Sequence, residues 1–248
     1  MNSGLQLARD FMNILFPPVC AACRIRLDIR QSQNLCPGCS AGIRYLQQPL
    51  CRICGMELAG PRGRMQLCGG CLRVPPPYTI ARSLVRYEPV VQKLVQRLKY
   101  AGDTSVVKGI TDIVANCDMA EFADCQWILP VPLHLDRHRR RGLNQATILA
   151  GLFFPEKRQL IRMDWLVRTR NTPAQTLLGG TERRKNLMGA FRLRSGRPIE
   201  GTVVCLVDDV LTTGTTVEEC ARVLMAHGTR EVRVLTLTRV AVLQRGRI

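Results

Sequence analysis

VVCLVDDVLTTGTT, residues 203–216, packs three kinds of sequence into one short stretch. Residues 203–207 are an unbroken apolar run, the pattern of a strand buried on both faces. Two adjacent acids follow, Asp208 and Asp209. Then comes a turn built from Thr212, Thr213, Gly214, Thr215 and Thr216, and after it a helical pattern over residues 217–227. A strand of this kind delivers its last residues to the carboxyl edge of a parallel sheet, where ligands bind in such folds. Carboxylates there can accept hydrogen bonds from ribose hydroxyls or approach magnesium. The threonine-rich turn can wrap a phosphate with N–H groups and hydroxyls, and Gly214 permits close backbone approach. The following helix directs its positive end at the anion. The plain alternative is an acidic turn capping an ordinary βα unit, and Asp-Asp alone would not decide between the two. No Gly-x4-Gly-Lys-[Ser/Thr] or Gly-x-Gly-x-x-Gly run occurs, so neither a P-loop nor a dinucleotide fingerprint has support.

The rest of the chain places this unit in a larger pattern. Residues 83–87 read as a strand and 90–100 as a helix, with Val91, Leu94, Val95 and Leu98 on one face. A second helix is expected over 105–117. A buried strand over 127–131 ends in Pro-Val-Pro, a helix spans 144–154, and strands cover 166–170, 190–193 and 232–238. Strands alternating with helices predict an α/β fold, a parallel sheet flanked by helices. Pro75, Pro76 and Pro77 form a stiff linker. They divide a small cysteine-rich module, residues 1–77, from an α/β domain, residues 78–248. Residues 5–16 place Leu5, Ala8, Met12 and Leu15 on one helical face and end at Pro17-Pro18, which predicts a short helix docked on the next module.

Eight of the twelve cysteines form four Cys-x-x-Cys pairs within an internal repeat. CAACRIRLDIRQSQNLCPGC aligns with CRICGMELAGPRGRMQLCGGC, with 12 and 13 residues between the knuckles. A zinc ion takes four thiolates in a tetrahedron, and each knuckle supplies two. Two structural zinc ions are therefore expected. Sequential grouping gives Cys20, Cys23, Cys36 and Cys39 for one, and Cys51, Cys54, Cys68 and Cys71 for the other. An interleaved arrangement satisfies the spacing too. Redox chemistry at one pair would want a preceding strand, which is absent. Residues 1–16 lack the basic start, apolar centre and cleavage site of a secretory signal. Paired thiols outside a secreted context fit a cytoplasmic protein.

Charge and composition narrow the partners. Lys and Arg number 36 against 19 Asp and Glu, a formal net charge of +17, which favours polyanions. Residues 137–197 hold 15 basic and 3 acidic side chains, so most of the excess lies there. Single-strand binders add aromatic platforms to a basic groove, yet aromatics are only 5% here. Phe153, Phe154, Trp165 and Phe191 sit in core-like positions. The balance favours a phosphate-rich small ligand, with DNA contact through Arg139, Arg140 and Arg141 as the weaker alternative. No apolar run approaches the ~20 residues of a membrane span.

The 203–216 block resembles the phosphoribosyl pyrophosphate (PRPP) signature of type I phosphoribosyltransferases. With the four knuckles, LVRYEPVVQKLVQRLKYAGD, ILPVPLHLDRHRRRGLNQ and RTRNTPAQTLLGGTERRKNLMGAF, the whole chain resembles the ComF (ComFC/GntX) family. That resemblance implies a double zinc ribbon ahead of a type I phosphoribosyltransferase-like domain. It places Asp208 and Asp209 on ribose with magnesium, and Thr212–Thr216 on the 5′-phosphate. Arg141, Gly142, Asn144 and Gln145 match the family's Arg-Gly-Phe-Asn-Gln motif in the pyrophosphate loop, Leu143 replacing Phe. Gln175, Thr176, Arg183 and Asn186 match the flexible loop, where Arg183 and Arg184 could grip pyrophosphate oxygens. The family is associated with natural competence, helping imported single-stranded DNA across the inner membrane. PRPP, single-stranded DNA and a competence helicase-type ATPase are the implied partners, at the cytoplasmic face of that membrane. Two other readings stay open. One is an active phosphoribosyltransferase, a glycosyltransferase whose acceptor pocket the sequence does not declare. The other is a nucleic-acid-binding zinc protein with a vestigial transferase fold.

Overall fold

The computed structural model describes residues 17–28, 33–60, 66–100, 103, 105–134, 139, 142–170 and 187–241. Its helices are α1 (Pro37–Ala41), α2 (Gly69–Arg73), α3 (Pro89–Tyr100), α4 (Val106–Val114), α5 (Gln145–Phe153) and α6 (Thr215–Ala226). Its strands are β1 (Ile80–Arg86), β2 (Trp127–Pro130), β3 (Leu166–Arg168), β4 (Phe191–Leu193), β5 (Val203–Leu211) and β6 (Glu231–Arg239). The helix expected over residues 5–16 lies outside the described residues. Packing gathers the chain into two units, Met1–Arg44 with Glu88–Cys117, and Tyr45–Tyr87 with Asp118–Ile248. Each holds one half of the cysteine repeat. This division follows contacts, whereas the sequence boundary at residue 77 follows composition.

The larger unit is built on a four-stranded parallel sheet in the order β1-β6-β5-β2. Residues 203–207 are all buried, as an inner strand with covered faces must be. Side chains alternate across a strand. Val204 and Leu206 join Val217, Cys220, Ala221 and Leu224 of α6 in one core cluster. The helix α5 packs on β5 and β2. Phe153, Phe154, Trp165 and Phe191 are all buried, as expected.

The strands run longer than the apolar pattern. β5 continues through both acids to Leu211, because Asp208, Val210 and Leu211 still pair with Thr236, Thr238 and Arg239 of β6. β1 begins at Ile80, opposite Arg233. Polar residues inside these strands are satisfied across the sheet. Ser83 Oγ and Thr236 Oγ1 lie 2.7 Å apart, and Thr238 Oγ1 donates to Val85 O at 2.9 Å. Such bonds remove the penalty of burying a hydroxyl. β3 and β4 form a separate antiparallel pair and do not extend the parallel sheet. Thr169 N donates to Ala190 O (2.9 Å) and Arg170 Nη1 to Met188 O (3.0 Å), closing the base of the connection between them.

In the smaller unit α3 packs on α4, burying Val91, Leu94, Val95 and Leu98 with Ile110 and Ile113. The first knuckle lies against α4 at Gly109, where an added Cβ would come 2.6 Å from the Cβ of Ala21. Asp112 of α4 accepts two bonds from Asn34, from its backbone N (2.6 Å) and from Nδ2 (2.9 Å). Asp103 gathers Arg97 of α3 (Nε 3.1 Å), Arg24 (3.1 Å) and the Ser105 N–H (3.0 Å). No helix among the described residues is long and apolar enough to cross a membrane.

Candidate functional site

β2 stops at Pro130, opposite Val207, while β5 runs on through 208–211, where β6 is its one paired strand among the described residues. The two acids therefore stand where the sheet narrows, at its carboxyl edge. Asp208 is half-buried and its Oδ1 accepts the Asp209 N–H at 2.9 Å. Asp209 is buried. Thr212 and Thr213 are exposed, and Thr213 Oγ1 lies 2.9 Å from Thr215 Oγ1.

Gly214 turns the chain into α6. Its φ of +81° lies in the left-handed region that glycine reaches without strain. Its carbonyl accepts the first helical bond, from Glu218 N (2.9 Å). Gly214, at the N-cap, has no side chain with which to cap the helix start. A helix start of this kind, with its first-turn N–H groups and dipole next to the threonine loop, is a ready anion site. Glu218 in the same turn is paired with Arg222 at 3.5 Å. Glu219, one residue on, accepts the Gly189 N–H (2.8 Å) and a bond from Arg222, which fixes the chain next to β4 on α6.

The connection after β2 returns to the same edge. Val131 N donates to Val207 O at 2.8 Å. Asn144 Nδ2 donates to Val131 O at 3.0 Å, and Asn144 Oδ1 accepts Ala146 N at 3.1 Å. This one side chain caps α5 and ties both ends of the loop together beside β5. Gln145 is buried at the first position of α5. The structure thus brings Asp208, Asp209, Thr212, Thr213, Gly214, Thr215, Thr216, Asn144 and Gln145 to neighbouring loops of one sheet edge. Arg141, Gln175, Arg183 and Arg184 lie outside the described residues.

The eight cysteines form two tetrads in sequential grouping, so the interleaved alternative is not adopted. The sulfurs of Cys20, Cys23, Cys36 and Cys39 lie within 4.8 Å of one another, as do those of Cys51, Cys54, Cys68 and Cys71. Cys23–Cys36 and Cys54–Cys68 are each 3.6 Å apart, close to the ~3.8 Å edge of a tetrahedron with ~2.3 Å zinc–sulfur bonds. The second knuckles start α1 and α2, where Cys36 and Cys68 accept the N–H of Cys39 and Cys71 (both 3.4 Å). Burial raises the Cys20 and Cys51 thiols, but the surrounding backbone N–H groups outweigh it and bring them to about 6 and about 7. Burial holds Cys39 and Cys71 high, with neighbouring sulfurs adding to the effect. Four sulfurs held this close suit a divalent cation that neutralises them together, and the donor set fits zinc.

Sequence reasoning missed two residues beside the second tetrad. Arg239, at the end of β6, is buried and donates to Cys54 O. Tyr78 is buried, with its hydroxyl 3.9 Å from where a Cβ on Gly214 would lie. Burial pushes its acidity well down, and the Cys54 and Glu218 charges add to that. The only local signals were an aromatic after the proline linker and an arginine closing a threonine-rich strand.

Comparison with known proteins adds four findings. Residues 11–72 match the double zinc ribbon domain. The chain is 33% identical over 235 residues to DNA utilization protein YhgH of Escherichia coli O157:H7, covering 90% of this chain and 97% of that protein. It is 32% identical over 231 residues to competence protein F of Haemophilus influenzae, covering 89% and 96%. Among solved structures, a hypoxanthine phosphoribosyltransferase of Staphylococcus aureus aligns at 15% identity and a TM-score of 0.32. That alignment covers 54% of this chain and 62% of the enzyme's, a likeness too slight to argue from.

Proposed function

The chain belongs to the ComF family of competence and DNA-utilization proteins, and from that premise we propose that it binds PRPP at the carboxyl edge of its parallel sheet. The start of α6 at Gly214, whose N-cap residue brings no side chain, lies beside Asp208 and Asp209 where β5 outruns β2, and this carries the reading. The N–H groups of the first turn and the hydroxyls of Thr213 and Thr215 receive the 5′-phosphate. The two carboxylates accept hydrogen bonds from the ribose hydroxyls. Magnesium would arrive with the pyrophosphate and offset its charge. The basic segment 137–197, with a net of +12, suits the same chemical class of ligand. In this reading the protein serves DNA uptake, helping imported single-stranded DNA into the cytoplasm, with PRPP as its ligand and a helicase-type ATPase as a partner.

The test is calorimetric titration of zinc-loaded protein with PRPP and magnesium, comparing wild type with the Asp208→Asn, Asp209→Asn double variant. Saturable binding in wild type and at least a tenfold loss in the variant are expected. Folded wild type without heat of binding would refute the site. Pyrophosphate release on adding an acceptor would make the protein a transferase.

A further inference from the structure

We propose that Arg239 is a positioning residue that couples the metal of the second cysteine tetrad to the phosphate-binding turn. This rests on the reading of Thr212–Thr216 as that turn.

Arg239 reaches both partners at once. Its side chain is buried. Nη1 donates to the Cys54 carbonyl, and Nη2 lies 3.8 Å from Cys54 Sγ. Its backbone is the register partner of Leu211, and the next residue, Val240, donates its N–H to Leu211 O at 3.1 Å. Leu211 is the last residue before Thr212. One residue thus separates the tetrad from the strand end that launches the turn.

The knuckle is fixed to the sheet independently. Ala81 N of β1 donates to Ile53 O at 2.6 Å, and Arg86 pairs with Glu57 through two bonds of 2.7 and 3.0 Å. Tyr78, also buried, has its hydroxyl 3.9 Å from where a Cβ on Gly214 would lie.

The charges explain why the link matters. Four thiolates on one zinc carry about −2. A buried guanidinium beside one of them offsets part of that charge, and an N–H donor to a metal thiolate steadies the ligand. A buried cation is costly without a counter-charge. Losing the metal therefore unsettles Arg239, and losing Arg239 loosens the metal. Such coupling is reciprocal. In the first tetrad Cys23 is exposed, and its neighbour Arg24 is spent on Asp103.

The experiment uses the full zinc-loaded chain with Arg239→Met, Arg239→Lys and, as a control, Arg24→Met. Three quantities are read: transfer of zinc to a chromophoric chelator, amide exchange over residues 208–217 without ligand, and PRPP affinity. Arg239→Met is expected to speed release of one of two zinc ions by about 10–100-fold. Exchange over 208–217 should rise and PRPP affinity should fall. Arg239→Lys should fall between wild type and methionine, and Arg24→Met should leave 208–217 unchanged. Wild-type zinc release or wild-type exchange in Arg239→Met overturns the proposal. If that variant does not fold, the same result in Arg239→Lys overturns it. Wild type that fails to bind PRPP would sink the functional reading, while zinc release and exchange would still judge this one.

Discussion

Replacing Asp103 with asparagine should loosen the smaller unit at neutral pH and do progressively less in acid. The carboxylate accepts bonds from Arg97, Arg24 and Ser105. The Ser105 hydroxyl leads in holding its pKa down, from 3.8 to about 2, with Arg97 next among the groups that lower it. A fall of nearly two pH units at about 1.4 kcal/mol each is worth roughly 2.5 kcal/mol before screening. Arg24 is 59% exposed, so its share is small, and water reaches part of the pair. About 1–2 kcal/mol should remain. The folded value lies below the unfolded one, so this stabilisation is complete above about pH 4 and lost as pH falls toward 2. Amide exchange over α3 and α4 of zinc-loaded protein reads local opening directly. A double-mutant cycle of Asp103→Asn with Arg97→Met isolates the pair. A cost of Asp103→Asn below about 0.3 kcal/mol at pH 7 would refute the reasoning, because neither the Ser105 nor the Arg97 contact would then hold the carboxylate.

Two further substitutions test the site's scaffold. Asn144→Ala removes both the α5 cap and the tie to Val131, and should cost about 1–2 kcal/mol in urea denaturation followed by Trp127 and Trp165 fluorescence; Asn144→Asp, which keeps the cap but not the donor, should lose less. Gly214→Ala puts a side chain at φ +81° with its methyl 3.3 Å from Glu218 Oε1, so stability should fall by about 1–2 kcal/mol and ribose 5-phosphate should bind more weakly in a titration.

What could be read from the sequence was local. The apolar run, the acids and Gly214 lie within one βα turn, so their order along the chain is their order in space. The cysteine spacing belongs to the same class, since each knuckle is a tight turn. What could not be read depends on strand pairing. β5 extends past its apolar run because β6 continues beside it. Ser83 looks like a solvent-facing residue until Thr236, 153 positions away, supplies its hydrogen bond. Nothing in segments 166–170 and 190–193 says that they pair antiparallel with each other. Arg239 reads as an ordinary charge at a strand end until the tetrad, 185 residues earlier, is brought against it.

The two halves of the repeat show how such a long-range contact leaves a local trace. The residue after the second cysteine of each first knuckle has the same backbone conformation, φ +68° at Arg24 and +67° at Gly55. Left-handed backbone alone does not demand glycine, since Arg24 adopts it. The difference lies in what stands nearby. A Cβ on Gly55 would meet the Ala81 carbonyl oxygen at 2.4 Å, a backbone atom of β1 that cannot move aside. β1 is an edge strand, and an open edge invites pairing with other chains. Here that edge is met by Ile53 at Ala81, by Leu46, which donates to Leu84 O at 3.1 Å, and by the Tyr45–Val85 bridge. The first knuckle of the second half, with the segment that leads into it, has thus become the cover of the sheet that holds the phosphate turn. Glycine at position 55 is the mark of that close approach, and arginine at position 24 shows that the turn itself does not require it.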